Sequence, residues 1–473
     1  MKKIISALLV LVFAMATFTS CSGEEITLLD FLKAGTDELD LDGKEIVLLG
    51  ETFEDESLFD NQIKANTNLY DYVLERFEEI NDRYNCNITY QCFAEGAKYE
   101  ERFTALMYSD TCPADIIYGN SDSKLQVFTE AGFLYPLTEL KDYIDYENTE
   151  KFGTPGILEA AMVNGIPHAV QPCYWPGFQN NYNFVIIYNP TLTTAQGLPD
   201  LHEYYENETW TWDAFQPMIE NFDKAGDENM FATMTVEEAF ATMALASNGV
   251  KGVDYIDGVL KSDISTSKAI RSVEWMQNIF SNNKENILIK EDWELDEFID
   301  GRVMTAITVT PSITAGKLQY ESSIKFGVMP FPSGPDATYG EWAQYTASIR
   351  GLAIPSNNLN PEASARIIND LCDPFEEFGG EAGLEDYFNE NVFFDPIDTE
   401  IYLSIGDNIR YTYWRSDTNL AQFFRDVSNR YETASAVEIL SEFEPKLQDF
   451  IDNLLKANYE NYLHEHLYGD NVD

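Results

Sequence analysis

The sequence predicts an α/β fold built on parallel sheets, and three observations carry that prediction. Short apolar runs of strand length, Lys44–Gly50, Asn87–Cys92 and Ala114–Tyr118, recur along the first part of the chain. The stretches between them place apolar residues at helical spacing, as Val73, Phe77 and Ile80 do within Tyr70–Arg83. The same alternation returns after residue 183. Strand, helix, strand, helix, strand is the order of a parallel sheet with right-handed crossovers. A composition of 44% hydrophobic and 14% aromatic residues in a chain of 473 marks a globular protein large enough for two well-buried cores.

Each element has a local reason. Lys44–Gly50 (KEIVLLG) is an apolar run between Gly43 and Gly50. A second helical stretch covers Tyr99–Tyr108, and Ala114–Tyr118 (ADIIY) is a buried strand that runs into the polar loop Gly119-Asn120-Ser121-Asp122. Asn183–Tyr188 (NFVIIY) reads as a strand ended by Asn189-Pro190. Thr211 stands as N-cap for a helix over Trp212–Phe222, with Asp213 in the first turn favouring the helix dipole. Further helices fit Glu237–Ser247, Ser267–Phe280 and Trp293–Phe298, and Val303–Val309 and Lys325–Met329 read as strands. Ser348–Pro355 is another short strand, followed by a helix over Pro361–Leu371 that Asn360 and Pro361 open. The last 60 residues are helical and acidic, with no internal repeat or low-complexity segment in the chain.

Charge and chemistry narrow the function classes. Eighty-one carboxylates against 30 basic residues give a formal charge of −51, which makes nucleic acid and anionic membrane surfaces poor partners. The acidic run Asp37–Gly43 (DELDLDG) fails as a calcium loop, because Leu49 would stand where a bidentate glutamate is needed, and it reads as a turn before a strand. The chain contains no G-x-S-x-G, H-E-x-x-H or phosphate-binding G-x-x-x-x-G-K-[ST] pattern, so no enzyme, cofactor or metal is expected. Of the four histidines, His464 and His466 form an HxH pair that reads as part of a solvated tail. Cys86 and Cys92 lie on one face of a strand roughly 20 Å apart if straight, too far for a disulfide, so isolated buried thiols are expected.

The N-terminus carries an address. Lys2 and Lys3 precede an apolar run from Ile4 to Ala16, the form of a secretory signal, and the run is shorter than the roughly 20 residues that span a bilayer. Phe18-Thr19-Ser20-Cys21 resembles a bacterial lipobox, which implies cleavage after residue 20, diacylation of Cys21 and a tether over residues 21–43.

Several later segments resemble, in order, the extracellular solute-binding proteins of bacterial ABC importers, in the carbohydrate-binding group that includes maltose-binding protein. They are Ala131–Leu140 (AGFLYPLTEL), Asn164–Ala169 (NGIPHA), Ile187–Leu198 (IYNPTLTTAQGL), Trp210–Phe215 (WTWDAF), Gly301–Met304 (GRVM), Gly327–Gly334 (GVMPFPSG) and Gly351–Pro355 (GLAIP). The likeness runs from about residue 44 to 375 and carries little of residues 376–473. It implies a two-lobed clamshell of the type II periplasmic-binding-protein kind, with mixed, largely parallel sheets flanked by helices. The first lobe would take residues 44–170 plus 345–400, and the second 180–334 plus 401–473, with crossing segments at 171–183 and 335–345.

Ligands of open α/β sheets sit at the carboxyl ends of strands. Glu51 follows the first strand, and Asn120 and Asp122 follow the third; by resemblance Asp122 occupies a sugar-binding position. A sugar needs planar polar groups for its hydroxyls and aromatic faces for its C–H faces. Aromatic candidates are Tyr174 and Trp175 in the first crossing, Trp342 and Tyr345 in the second, and Trp414 near the C-terminus. Trp212, at the start of a helix, reads as core instead. Thr308, Val309, Thr310 and Pro311 stand where the family often places a tryptophan. The expectation is a monomeric, lipid-anchored receptor on the extracytoplasmic face of the cell membrane, which closes over a carbohydrate and presents it to the permease subunits of an ABC transporter. The rivals are a surface glycan hydrolase and a binding lipoprotein with no transport role.

Overall fold

The computed structural model describes residues 39–50, 67–92, 96–120, 125–153, 158–172, 184–314, 318, 324–340, 344–346, 350–374, 381–405, 409–411, 427 and 430–468. Among these, the strands form two five-stranded sheets and three two-stranded pairs.

The first sheet begins with β1 (Lys44–Gly50), then α1 (Thr67–Tyr84), β2 (Cys86–Cys92), α2 (Gly96–Tyr108) and β3 (Ile116–Asn120). The small strands β4 (Met162–Val163) and β5 (Ile166–Pro167) form a hairpin, and β6 (Ala169–Val170) follows it. With the later β15 (Arg350–Ala353), the spatial order is β2-β1-β3-β15-β6. β1 runs parallel to β2 from Lys44↔Cys86 to Gly50↔Cys92 and parallel to β3, whereas β15 is antiparallel to both its neighbours. The two-residue alternation of strand side chains puts Ile46, Leu48, Ile116 and Tyr118 in one core and Leu49 and Ile117 in the other. Asp115 holds β1 against β3: its carboxylate accepts from the Val47 N–H at 2.9 Å and from Lys44 Nζ at 2.7 Å. On one face α1 packs against α8 (Pro361–Leu371). Buried Arg76 of α1 donates to the carbonyls of Asp370, Asp373 and Pro374, which satisfies groups that the end of α8 leaves open. α2 covers the other face, where Tyr99, Phe103 and Phe128 pack ring on ring.

The second sheet starts with β7 (Phe184–Tyr188), and α3 (Pro190–Ala195), α4 (Leu201–Glu206) and α5 (Trp212–Glu220) follow. Next come β8 (Phe231–Val236), α6 (Glu237–Ser247), the hairpin β9 (Val253–Ile256) and β10 (Val259–Ser262), and α7 (Ser267–Asn282). β11 (Ile287–Lys290), β12 (Val303–Val309) and β13 (Gly327–Met329) complete the order β11-β8-β12-β7-β13. β11, β8 and β12 are mutually parallel, and β7 runs against β12 and β13. Each sheet thus holds one reversed strand, β15 or β7, just after a stretch in which the chain passes from one sheet to the other. The Asn189 side chain caps α3 by accepting from Thr191 N and Leu192 N. Thr211 stands at the N-cap of α5 but makes no side-chain cap bond; Ser333 O takes the Trp212 N–H instead, at 3.0 Å.

The C-terminal segments return to the second sheet. β14 (Gln344–Thr346) pairs in parallel with β16 (Ile409–Tyr411), next to α6 and β7. α9 (Glu381–Asn391) packs on α10 (Pro396–Ser404), and α10 packs on β13. The sequence grouped residues 345–400 with the first lobe; within them, Asp398 Oδ1 of α10 accepts the Val328 N–H of β13 at 2.5 Å. α11 (Ala436–Phe450) lies on α7 and continues through Ile451–Leu455 and Tyr459–Leu463, two π-helical stretches, to His464–Tyr468. His464 packs edge-on against the Tyr255 ring, and His466 stacks on Tyr462, so the HxH pair is part of a packed helix rather than a solvated tail. Cys86 and Cys112 are free thiols, and Cys372 is buried in the core. The other three cysteines, Cys21 and Cys173 as whole residues and Cys92 in its side chain, lie outside what is described.

Candidate ligand-binding site

The carboxyl edge of each sheet is where the fold leaves backbone groups and loop side chains available to a ligand. At the first sheet that edge is formed by Gly50, Cys92 and Asn120, with Arg350 entering beside them because β15 is reversed. The register pairs Asn120 with Arg350, so an amide residue and a guanidinium residue sit at the same level on adjacent strands. The sequence put Asn120 in a loop. β3 extends through Gly119 and Asn120 because Gly351 and Arg350 supply their ladder partners, and a Cβ at Gly351 would press to 2.8 Å from Leu125 Cδ1.

At the second sheet the edge is formed by Val236, Lys290 and Val309, with Phe184 at the entry of reversed β7. Trp293 lies three residues past β11 and stacks on Phe184, with ring centroids 5.6 Å apart and planes 25° from parallel. The indole belongs to an edge strand and the phenyl to a strand three places across, so the loop after β11 folds back over the carboxyl end of the sheet. Trp293 is half-buried, which leaves part of an aromatic surface uncovered there. Lys290 anchors the same loop: its Nζ lies 2.8 Å from Glu297 and 3.9 Å from Asp292. The hydrogen bond to Glu297 holds the Lys290 ammonium above its usual pKa. Burial opposes ionisation of Glu297, but the bond from Lys290 outweighs it and lowers that carboxyl.

α6 begins directly after β8 with no side-chain cap at Val236, so its first N–H groups point out at this edge. Glu238 lies half-buried in that first turn. Such a rim, with an aromatic face, carboxylates, a fixed ammonium and open amides, can hold a polyhydroxylated ligand by stacking and by hydrogen bonds to planar groups.

Among the residues expected at the site, Asn120 reaches the first edge and Tyr345 stands on β14, beside α6 and β7 and paired with Arg410. Glu51, Asp122, Tyr174, Trp175, Trp342 and Trp414 lie outside the described residues. Trp212 is core, as expected: it is 4% exposed. Its ring stacks on Trp275 at 4.1 Å, and its Nε1 donates to Ser247 Oγ at 3.1 Å. Trp293 was placed in a helix over Trp293–Phe298, whereas the helix spans only Asp296–Ile299 and the tryptophan precedes it. The available signal was its position: a tryptophan between Asp292 and Glu294, just past a strand, has no reason to be core. Among the described residues no group of His, Cys, Asp and Glu is arranged to hold a metal ion, and no helix is long and apolar enough to cross a membrane.

Two mixed sheets with helices on their faces, each with one reversed strand, are the two-lobed architecture of the type II periplasmic binding proteins. The sequence profile of the bacterial extracellular solute-binding proteins matches residues 73–374, and the chain belongs to that family. No curated protein matches it in sequence. Its fold is similar to that of a cyclo/maltodextrin-binding protein complexed with maltotetraose, at a TM-score of 0.61 and 15% identity over 87% of this chain and 98% of that one. It is equally similar to the galacto-N-biose-/lacto-N-biose I-binding protein of the ABC transporter from Bifidobacterium longum, in complex with lacto-N-biose (TM-score 0.61, 13% identity, 88% and 98% covered). A Mycobacterium tuberculosis protein in complex with glycerophosphocholine has the same fold, with a TM-score of 0.59, 15% identity and 87% and 98% covered.

Proposed function

We propose that this chain is the lipid-anchored substrate-binding component of an ABC importer, which captures a mono- or oligosaccharide between its lobes and delivers it to permease subunits. The observation that carries the sugar reading is the half-buried Trp293 stacked on Phe184 at the carboxyl edge of the second sheet, the edge at which α6 also begins. Aromatic faces next to planar polar groups suit the two sides of a pyranose. Asn120 and Tyr345 stand with Trp293 in this proposal, and Glu51, Asp122, Tyr174, Trp175, Trp342 and Trp414 complete the candidate set. Neighbours of like fold that hold maltotetraose and lacto-N-biose support the reading.

The lobes are proposed as residues 44–170 with 350–374, and residues 184–334 with 381–450, divided by the sheet on which each segment packs. The segments between them, 171–183 and 335–349, are the proposed crossings. Only a closed state lets both lobes touch the ligand, so binding shifts an open–closed equilibrium and needs no covalent chemistry. Attachment through Cys21 would keep the receptor beside its permease as a monomer on the extracytoplasmic face.

Calorimetric titration with mono- and oligosaccharides, polyols and glycerophosphocholine tests the assignment. Binding of one saccharide class supports it. Binding of glycerophosphocholine alone overturns the sugar reading while leaving a receptor, and release of reducing ends from a glycan would make the protein a hydrolase. Mass spectrometry of the mature N-terminus tests the acyl chains on Cys21.

A further inference from the structure

The residues beyond the family's matched span end in a helix that grips two hairpins, β4–β5 and β9–β10. α11 and its continuation, Ala436–Tyr468, lie wholly outside residues 73–374. Toward the β9–β10 hairpin, Gln448 Oε1 accepts the Ser262 N–H of β10 at 3.1 Å, and Tyr459 and His464 pack their rings on Tyr255 of β9. The loop ahead of α11 is tied to α7 where Gln277 Nε2 donates to Ala434 O, and Lys284 pairs with Glu432. Toward the first sheet, the fully buried carboxamide of Asn458 holds the β4–β5 hairpin in both directions. Its Oδ1 accepts the Gly165 N–H and its Nδ2 donates to Met162 O, each at 2.9 Å. One turn on, Asn461 Nδ2 donates to Asn164 O at 2.9 Å.

This seam is fitted, not incidental. Gly165 has φ +78°, and a Cβ there would meet the Asn461 Cβ at 2.5 Å, so the hairpin turn must be glycine for the helix to lie so close. Asn458 stands between the two π-helical stretches, Ile451–Leu455 and Tyr459–Leu463. Each such stretch resets the helical register, and isolated π-turns are weak points that cluster where helices serve a function. Leu447, Ile451, Leu455, Tyr459 and Leu463 are all buried at four-residue spacing, so one face of the continuous helix stays packed along the stretch that carries both contact sets. A helix bonded to two hairpins along the same turns holds one against the other, and it yields only where it can bend.

We infer that the C-terminal helix is an interlobe brace: through Asn458 and Asn461 it holds the β4–β5 hairpin, through Gln448, Tyr459 and His464 the β9–β10 hairpin, and it so restrains the angle between the two lobes. The clamshell then moves against the stiffness of this helix and not about its crossing segments alone. The inference rests on the two-sheet architecture and holds whichever solute is bound.

Single-molecule energy transfer on the ligand-free full chain tests it. Dyes would be attached through non-natural amino acids at Tyr108, 78% exposed beside the first sheet, and Glu228, whose side chain is 92% exposed beside the second. The natural helix should give a narrow distance distribution. Asn458→Ala with Asn461→Ala should broaden it at least twofold or add a second population, and Asn458→Asp, which keeps the acceptor and loses the donor, should fall between. If the double variant does not fold, Gln448→Ala loosens the hold on the β9–β10 hairpin and should broaden the distribution likewise. An unchanged distribution in any folded variant, with faster hydrogen exchange at residues 162–165, would overturn the brace and leave the contacts as local packing.

Discussion

His202 Nε2 lies 2.8 Å from Asp398 Oδ1, and this buried pair fastens the C-terminal helix α10 to the edge of the second sheet. The Tyr188 hydroxyl completes the cluster, 3.2 Å from the same imidazole nitrogen and donating to Asp200 at 3.1 Å. Removal of one member of a buried ion pair strands the other. His202→Ala is therefore expected to cost about 3–5 kcal/mol of unfolding free energy. His202→Ala together with Asp398→Leu should recover part of that loss. Denaturant unfolding of the three proteins checks both.

The same pair sets a pH dependence. Burial pulls the His202 imidazole down, but the hydrogen bond and charge of Asp398 outweigh it and hold its pKa above the ordinary value. Burial likewise pushes the Asp398 carboxyl up. Both shifts mean that the folded state binds protons more tightly than the unfolded chain does. The stability His202 contributes is full below its unfolded pKa of about 6.5 and is lost as pH rises through the higher folded value. Unfolding free energy should thus fall between pH 6 and 8 in the natural protein and stay nearly flat in His202→Gln. An equal slope in both proteins would remove His202 as its source.

Gly327 opens β13 opposite Tyr188, and a Cβ there would overlap that ring. Tyr188 cannot swing aside without leaving His202 and Asp200. Gly327→Ala is expected to destabilise by ~1–3 kcal/mol, as overpacked cores do. Thermal unfolding by circular dichroism reads it, with Gly43→Ala as a contrast: a Cβ at Gly43 meets nothing within 4 Å, so only its positive φ is penalised.

The cysteines of the described residues make a simple probe of the two cores. Cys86 and Cys372 are buried, Cys112 is half-buried, and burial pushes the thiols of Cys86 and Cys112 above their ordinary pKa. Because the thiolate is the reactive form, iodoacetamide at pH 8 should leave Cys86 and Cys372 unmodified in the folded protein and label both after denaturation. Peptide mass spectrometry gives the answer, and labelling of Cys372 under native conditions would contradict its place in the core.

Strand runs such as KEIVLLG and VMTAITV were legible because a buried parallel strand needs uninterrupted apolar residues, and β1 and β12 carry them at the expected positions. Pro361–Leu371 was legible from Asn360 and Pro361, and the Asn360 side chain does accept from Ala363 N. The pairing of Asn120 with Arg350 was not, because ladder partners 230 positions apart leave no local trace. Nor was the attachment of α10 to β13, which depends on one carboxylate meeting one backbone amide across 70 residues. Trp293 was hidden for a different reason: its local pattern suits a helix, and only the fold-back onto Phe184 takes it to the sheet edge.

Trp293 and Trp212 separate binding from folding. Trp212 is core, stacked between α5 and α7 on Trp275, and its truncation should cost ~3–5 kcal/mol of stability. Trp293 is half-buried in a loop, so Trp293→Ala should lower stability by about 1 kcal/mol or less, in the range of partly exposed sites. If its exposed face is the platform for a sugar ring, the same change should weaken saccharide binding about thirtyfold, equivalent to the ~2 kcal/mol of an aromatic anchor. Trp293→Phe should recover much of that loss, since a flat apolar face is what the stacking requires. Calorimetric affinities set beside denaturant unfolding for the three variants decide the matter. Unchanged affinity in Trp293→Ala, with the protein folded, would move the binding surface away from the loop after β11.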